Sequence, residues 1–298
     1  MNAQNIENHA GDDLISEWHL ENEKIEIDLL LEAIYRKYHY DFKDYSRAHL
    51  KRRLKYRLNM AQLDNFSHMQ HKVLVDRSFF ETLLLDLSIN VTEMFRDPSF
   101  YLSIRQEVIP RIKNFPFIKV WHAGCSTGEE VYSMAILLKE VGLYDKVQIY
   151  ATDFNSLVLE KAKEAIYPIE LFKEYTVNYQ KAGGVNSFAD YYSAKYDSVI
   201  LDPSLKERIV FADHNLVTDG VFGEMNIILC RNVLIYFTKK LQSRVVKLFV
   251  DSLASKGFLC LGSKESLQFS EHFHRFETIV DKERIYQIKP GKGAENHE

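Results

Sequence analysis

The stretch from Val120 to Leu138, VWHAGCSTGEEVYSMAILL, constrains the fold most. It reads as strand, turn and helix. Phe117 to Ala123 is mostly apolar and β-prone, the pattern of a buried strand. Gly124 to Gly128 is short, small and polar, with a glycine at each end. Glu129 and Glu130 follow, where a helix N-terminus favours negative charge. Val131, Met134, Ala135, Leu137 and Leu138 then give an apolar face at helical spacing. A glycine-containing turn between a buried strand and a helix lets a ligand approach the backbone closely. That is the geometry of a nucleotide-type site at the carboxyl edge of an α/β sheet.

Strands and helices alternate beyond this unit. Lys146 to Thr152 reads as a buried strand ending at Asp153, which follows Gly128 by about 25 residues, close to the spacing at which an acidic residue meets a ribose. Ser156 to Ala165 reads as a helix. Arg208 to Ala212 reads as a strand followed by Asp213, His214 and Asn215. Asn226 to Cys230 reads as a buried strand followed by Arg231 and Asn232. Thr238 to Leu253 is helical, Phe258 to Leu261 a strand, and Phe276 to Val280 pairs with Ile285 to Ile288 as a closing hairpin. The pattern predicts a Rossmann-like α/β domain over residues 117–290, its mostly parallel sheet covered on both faces. Polar residues at the strand ends fall along one edge, where ligands bind in open α/β sheets. Residues 167–206, rich in Tyr and Phe, interrupt the alternation. Two β-like runs, Asp190 to Tyr196 and Ser198 to Leu201, predict an inserted subdomain with a short antiparallel ribbon.

The chain before residue 117 reads differently. Residues 1–24 are polar and acidic and read as a loosely ordered tail, with Trp18 able to anchor it. Residues 25–88 carry helical periodicity and no strand signal, so a small all-α domain is expected. Within it Leu50, Leu54 and Leu58 form one apolar stripe, while Arg47, Lys51, Arg52, Arg53, Lys55 and Arg57 crowd the other faces. Most such charge runs are solvated helix surfaces. These cations have almost no acidic sequence neighbours, in a chain of net charge −4, and so read as a docking face for an acidic partner. Further helices are expected at Phe66 to Val75 and Ser78 to Leu87. Residues 89–116 form a linker and connecting helix, with Asp97 as N-cap, Pro98 opening the helix, and the helix running to Lys113. Residues 291–298 read as a tail.

Several classes of function are disfavoured. The three cysteines, Cys125, Cys230 and Cys260, have no CxxC spacing and read as reduced thiols of a cytosolic protein. No apolar run approaches the roughly 20 residues of a membrane span, and no signal peptide is visible. Gly124 to Gly128 formally matches the G-x-S-x-G nucleophile elbow. That fold needs several strands before the elbow, and two glutamates would oppose a developing oxyanion. A dinucleotide fingerprint lacks its middle glycine. His122, alone in the central strand, reads as a core residue. His272 and His274 have no third ligand, so no metal site is expected.

Five separated motifs resemble one family, the CheR-type chemoreceptor methyltransferases, which methylate glutamates using S-adenosylmethionine. NVTEMFRDPSF resembles its junction, AGCSTGEEVYS its glycine-containing first motif and ATDFNSLVLEKA its second-strand motif. HNL and CRNVLIYF resemble two further cofactor-edge motifs, and the basic helix resembles the receptor-docking helix. The resemblance implies that Asn90, Thr92, Arg96, Gly124, Glu130, Asp153, Asn215, Leu216, Arg231 and Asn232 line the cofactor site. Asp153 would accept from the ribose, Glu130 would neutralise a cationic part of the methionyl end, and Arg96 and Tyr236 would serve the transfer itself. Arg47, Lys51, Arg52, Arg53, Lys55 and Arg57 would dock the receptor's helical bundle. Two departures show. Met94 replaces a phenylalanine of the junction. Tyr191 to Leu201 lacks a glycine-rich loop, which argues against the pentapeptide tethering of some members. The implied protein is a cytoplasmic monomer that neither binds nucleic acid nor inserts in a membrane. Rival readings are a methyltransferase for nucleic acid or a small molecule, and a non-enzymatic module that binds the cofactor as a signal. CRNVLIYF differs from the proline-rich loop of base amino-methyltransferases.

Overall fold

The computed structural model describes residues 4–88, 92–268 and 270–290, with side chains from residue 18 onward. The expected tail at 291–298 lies outside the described residues. The chain divides into two compact units, residues 1–89 and 90–298.

Four helices make up the regular structure of the first unit's described residues: α1 (Gln4–Tyr38), α2 (Arg47–Met60), α3 (Phe66–Val75) and α4 (Arg77–Ser88). Leu30 and Ile34 of α1, Leu54 of α2, Met69 and Val73 of α3, and Leu83 of α4 expose no surface. They recur at three- and four-residue spacing, so each helix turns one stripe inward. Asn65 caps α3, its side chain accepting from the His68 amide at 2.9 Å. The polar stretch expected to be a loose tail is drawn as the leading part of α1. Its straight-chain residues favour a helix even where they bury little, and Trp18 and Leu20 are exposed.

The second unit carries a seven-stranded sheet of order β6-β2-β1-β7-β8-β10-β9. Its strands are β1 (Ile118–Ala123), β2 (Val147–Asp153), β6 (Ile209–Asp213), β7 (Met225–Cys230), β8 (Leu253–Leu261), β9 (Phe276–Val280) and β10 (Ile285–Ile288). The pairs from β6 to β8 are parallel, and β10 runs antiparallel to both its neighbours. Val120 of β1 sits opposite Ile149 of β2 and Ile227 of β7, and all three are fully buried. Strands covered on both faces need such unbroken apolar runs. The chain leaves β1 towards β2 and β6 and returns to β7 on the other side. The order therefore reverses at β1, and a crevice opens beyond the carboxyl ends of the central strands.

Around the sheet lie α7 (Glu129–Glu140), α8 (Ser156–Glu164) and α10 (Lys239–Ser252), and before it α5 (Pro98–Ser103) and α6 (Ile109–Ile112). The connecting helix expected from Pro98 to Lys113 is interrupted by a π-helical turn at Ile104–Val108. Pro110 lacks an N–H, so the regular ladder cannot pass it and the preceding turn widens. Asp97 is not a side-chain cap: it adopts a left-handed φ of 55° and makes no side-chain cap hydrogen bond. Its carboxylate bonds Arg231 instead.

The insertion holds β3 (Ile166–Pro168), α9 (Phe172–Lys181), β4 (Tyr192–Lys195) and β5 (Ser198–Leu201), forming an antiparallel sheet of order β3-β5-β4. The expected ribbon is the β4–β5 hairpin. The third strand was not foreseen, because three residues ending in Pro168 carry no alternation to read. Phe188 stacks on Tyr179 and Phe172 with centroids 5.0 and 5.9 Å apart. The buried Glu140 carboxylate at the end of α7 accepts from the Tyr179 and Tyr191 hydroxyls and pairs with Arg105. An aromatic core and one carboxylate thus bind the insertion to α7. Phe188→Ala should cost about 3–5 kcal/mol in chemical denaturation and open residues 167–206 to limited proteolysis. Wild-type values for both would remove this packing as the anchor.

Candidate functional site

The loop after β1 is shaped by backbone bonds from β2. The Gly124 and Cys125 amides both donate to the Thr152 carbonyl, at 2.8 and 2.9 Å. Gly124 has a φ of 83°, and a Cβ there would stand 2.7 Å from Val233 Cγ2. Only glycine lets β1 turn this tightly under the segment that follows β7. Gly128, with a φ of 93°, opens α7 beside Ala162. The Tyr167 hydroxyl closes the loop from the insertion, donating to the Thr127 carbonyl at 2.7 Å. Burial pushes Glu129, the first residue of α7, up to about 7, against a lowering bond from Thr127.

Asp153 ends β2 with its carboxylate against that loop. Oδ2 accepts from the Ser126 amide and Oδ1 from the Asn155 amide, each at 3.0 Å. Burial pushes the carboxyl up to about 6, although the Asn155, Ser126 and Phe154 amides pull it down. The group is thus mostly ionised at neutral pH, and its four acceptor positions outnumber the three amides that reach it.

Glu130, the second residue of α7, is already paired. Oε1 meets His122 Nδ1 at 3.0 Å and Oε2 accepts from Arg231 at 2.9 Å. Burial alone would raise the Glu130 carboxyl, but His122 and the Arg231 charge hold it below the ordinary range. Arg231, at the end of β7, also donates to Asp97 Oδ2 at 2.7 Å and to the Arg96 carbonyl at 3.4 Å. Its guanidinium lies 4.0 Å from the Phe100 ring centroid, and its side chain is 2% exposed. The side chain of Arg231 is therefore an internal tie, and only its main chain is placed to meet a ligand. Glu130 likewise carries out its charge neutralisation within the protein.

The remaining expected residues fall at the same strand ends. Asn215 and Leu216 follow β6, whose end pairs with β2 at Asp153. Leu216 is buried, and the Asn215 side chain accepts from the Val217 amide at 2.9 Å, closing a local turn. Asn232 follows Arg231 with a φ of 62°. Its amide donates to Glu265 Oε2 at 2.9 Å. Tyr236 is half-buried in the short 3₁₀ turn Leu234–Tyr236. Thr92 and Arg96 are half-buried in the junction, Arg96 between the left-handed residues Phe95 and Asp97. Asn90 lies outside the described residues. Sequence reasoning missed Asp97, His122 and Glu265 as members of this network. The first two stand beside motif residues, whereas no motif pointed to Glu265.

The basic helix belongs to the first unit. Its expected lack of acidic partners does not hold in three dimensions. Lys51 and Lys55 meet Glu23 at 2.8 and 3.2 Å, Arg47 pairs with Asp28, and Arg57 pairs with Asp86. These acids come from α1 and α4, far away in sequence. Among the described residues Arg52 and Arg53 form no ion pair. Arg52 shares the exposed side of α2 with Tyr56 and Met60.

Comparison with known proteins agrees with this geometry. Residues 25–88 match the CheR methyltransferase all-alpha domain, and residues 90–283 match the CheR methyltransferase SAM-binding domain. Cher3 of Pseudomonas putida is 52% identical over 89% of this chain and 97% of its own length. A chemotaxis protein methyltransferase of Borreliella burgdorferi is 27% identical, over 82% of this chain and 89% of its own. Chemotaxis protein methyltransferase 2 of Pseudomonas aeruginosa is 29% identical, over 75% and 80% respectively. The chain belongs to the CheR methyltransferase family, and its cofactor is S-adenosylmethionine. The site fits that cofactor: the chain turns at a glycine at the end of β1, and a mostly ionised carboxylate stands beside it at the end of β2.

Arg231→Ala would leave Glu130 and Asp97 buried without their cation. The expected loss is about 3–5 kcal/mol in urea denaturation. Arg231→Lys, which keeps the charge but not the fork, should fall in between. Wild-type stability of both variants would show that the tie does not hold the edge together.

Proposed function

We propose that this CheR-family chain transfers a methyl group from S-adenosylmethionine to glutamate carboxylates on a chemoreceptor's cytoplasmic helical bundle. The products are glutamyl methyl esters and S-adenosylhomocysteine. The observation that carries this reading is the presence of the family's all-alpha and SAM-binding domains together in one chain. The relatives from Borreliella burgdorferi and Pseudomonas aeruginosa bear the name of chemotaxis protein methyltransferases.

The chemistry suits the residues at hand. When bound, the cofactor supplies an electrophilic methyl group on a sulfonium whose departing form is a neutral thioether. A glutamate is already ionised near neutral pH. One of its oxygens forms the new bond to the methyl carbon while the carbon–sulfur bond breaks, the electron pair stays on sulfur, and no proton moves. Opposite charges vanish along the way, so alignment and exclusion of water are the protein's main tasks. Arg96 holds the incoming carboxylate with a two-pronged contact. Its backbone is fixed for this by the bonds from Arg231. Tyr236 donates its hydroxyl to the same carboxylate. Asp153 receives the ribose hydroxyls, Asn90 and Thr92 supply short polar contacts, and Asn215, Leu216 and Asn232 bracket the adenine.

Docking runs through the helical domain, with Arg52 and Arg53 meeting acidic receptor helices and the paired cations around them completing a basic face. Methylation removes negative charges from those helices, relieves like-charge repulsion and biases a two-state signalling bundle. The β4–β5 turn is short, with Lys195 and Ser198 already paired. That supports docking without a peptide tether. The enzyme acts as a monomer in the cytoplasm.

Arg96→Ala should lower kcat on receptor-rich bacterial membranes about 100-fold, read as alkali-labile methyl groups, with S-adenosylhomocysteine affinity changed less than about threefold. An equal collapse of affinity would make Arg96 mainly a cofactor residue. Ribose hydroxyls bond the ionised form of Asp153, so binding lowers its pKa from about 6 and releases a proton. Calorimetric affinity for S-adenosylhomocysteine should be flat above that pH and fall up to about tenfold per unit below it. Asp153→Ala should remove the fall and bind weakly throughout. A pH-independent wild type would place the ribose elsewhere.

A further inference from the structure

Glu265 lies just past β8, outside every motif that identified the site. Its side chain is buried and faces backbone amides. Oε2 accepts from the Gly262 amide at 2.6 Å and the Asn232 amide at 2.9 Å, and Oε1 accepts from the Ile235 amide at 3.2 Å. The Glu265 amide donates in turn to the Gly262 carbonyl at 2.9 Å. Burial raises its carboxyl, while the Gly262, Asn232, Ile235 and Leu234 amides lower it. Among the described residues no cation pairs with it in a salt bridge. Its partners are main-chain amides at the end of β8, ahead of the 3₁₀ turn that carries Tyr236, and within that turn.

Gly262 completes the arrangement. A Cβ there would stand 2.8 Å from the Asn232 amide nitrogen, 2.9 Å from Asn232 Nδ2 and 2.9 Å from Glu265 Oε2. Asn232 itself holds a left-handed φ of 62°, a conformation that asparagine tolerates better than most non-glycine residues. A buried carboxylate would not be desolvated for one weak contact. Here it takes up backbone donors from residues 232 and 235 at once, and so ties the approach to the turn to the turn's middle residue.

We propose that Glu265 is a positioning residue for methyl transfer. It clamps residues 232–235 and thereby sets where the Tyr236 hydroxyl meets the acceptor. This rests on the role proposed above for Tyr236. Arg231 ties the start of the same segment to the junction, and Glu265 ties its continuation to the end of β8.

Glu265→Gln puts an NH₂ group where one acceptor oxygen stood and sets donor against donor. At saturating S-adenosylmethionine, kcat on receptor-rich membranes should fall about 30-fold, since misplacement by an ångström costs up to about 100-fold. The same change made in a Tyr236→Phe background should lower kcat by less than about threefold, because the group being positioned is gone. Equal factors in the two backgrounds would overturn the proposal, whatever happens to Tm. Should Glu265→Gln not fold by circular dichroism, Gly262→Ala presses on the same clamp and carries the same comparison. Wild-type turnover by Tyr236→Phe alone would overturn the positioning role together with that of Tyr236. Absence of methyl transfer by the wild type would instead overturn the assigned reaction.

Discussion

A guanidinium with almost no access to water sits where the strand edge meets the junction, and much of the site depends on it. Taking Arg231 out of water costs several kcal/mol unless its charge and its donors are satisfied. Glu130 and Asp97 supply the charge, the Arg96 carbonyl accepts further bonds, and the Phe100 ring covers one face. These partners lie 101 to 135 positions away in sequence. One side chain therefore joins the junction, the start of α7 and the end of β7. None of the three can shift without exposing an unpaired charge to a low-dielectric interior.

The other buried carboxylates are sorted by what they face. Glu130 faces the His122 ring and the Arg231 guanidinium and is held in its ionised form. Asp153 faces backbone amides and is pushed up to about 6, still below neutral pH, so it stays mostly ionised and remains an acceptor. Glu265 faces amides alone, and Glu140 faces an arginine and tyrosine hydroxyls. A reaction that needed a general base would require one of these groups to be left available to take up a proton. The methyl transfer proposed above does not, so Glu130, Glu140 and Glu265 can be committed to internal ties.

Periodicity and turn chemistry exposed most of the architecture in the sequence. β9 and β10 fall where alternation put them, and α3 spans the expected Phe66–Val75. Those signals are local and repeat over several residues. The misses have a different origin. Asp97 reads as an N-cap because a carboxylate before a proline usually is one, but a buried arginine 134 residues later outcompetes the amides. Glu130 carries a motif position whose partner, His122, stands on the neighbouring strand. Glu265 could not be found at all, since main-chain amides leave no residue-type signature. The acids that pair the basic helix come from other helices, which no scan of nearby sequence would reveal.

That last pairing changes the physics expected of docking. A helix with unpaired cations along its length would attract acidic partners from a distance, through a field screened within about 8 Å at physiological salt. Pairing Lys51, Lys55, Arg47 and Arg57 within the domain removes much of that field from a chain already carrying a net charge of −4. What remains is short-ranged: Arg52 with Tyr56 and Met60 exposed on the same helix. Recognition of an acidic helical bundle by such a surface depends on contact at the right register, with aromatic and thioether groups adding apolar area around a cation. For the acidic bundles proposed as partners, selectivity would then follow from fit, because a weakened long-range field draws all of them alike and only the local match tells them apart.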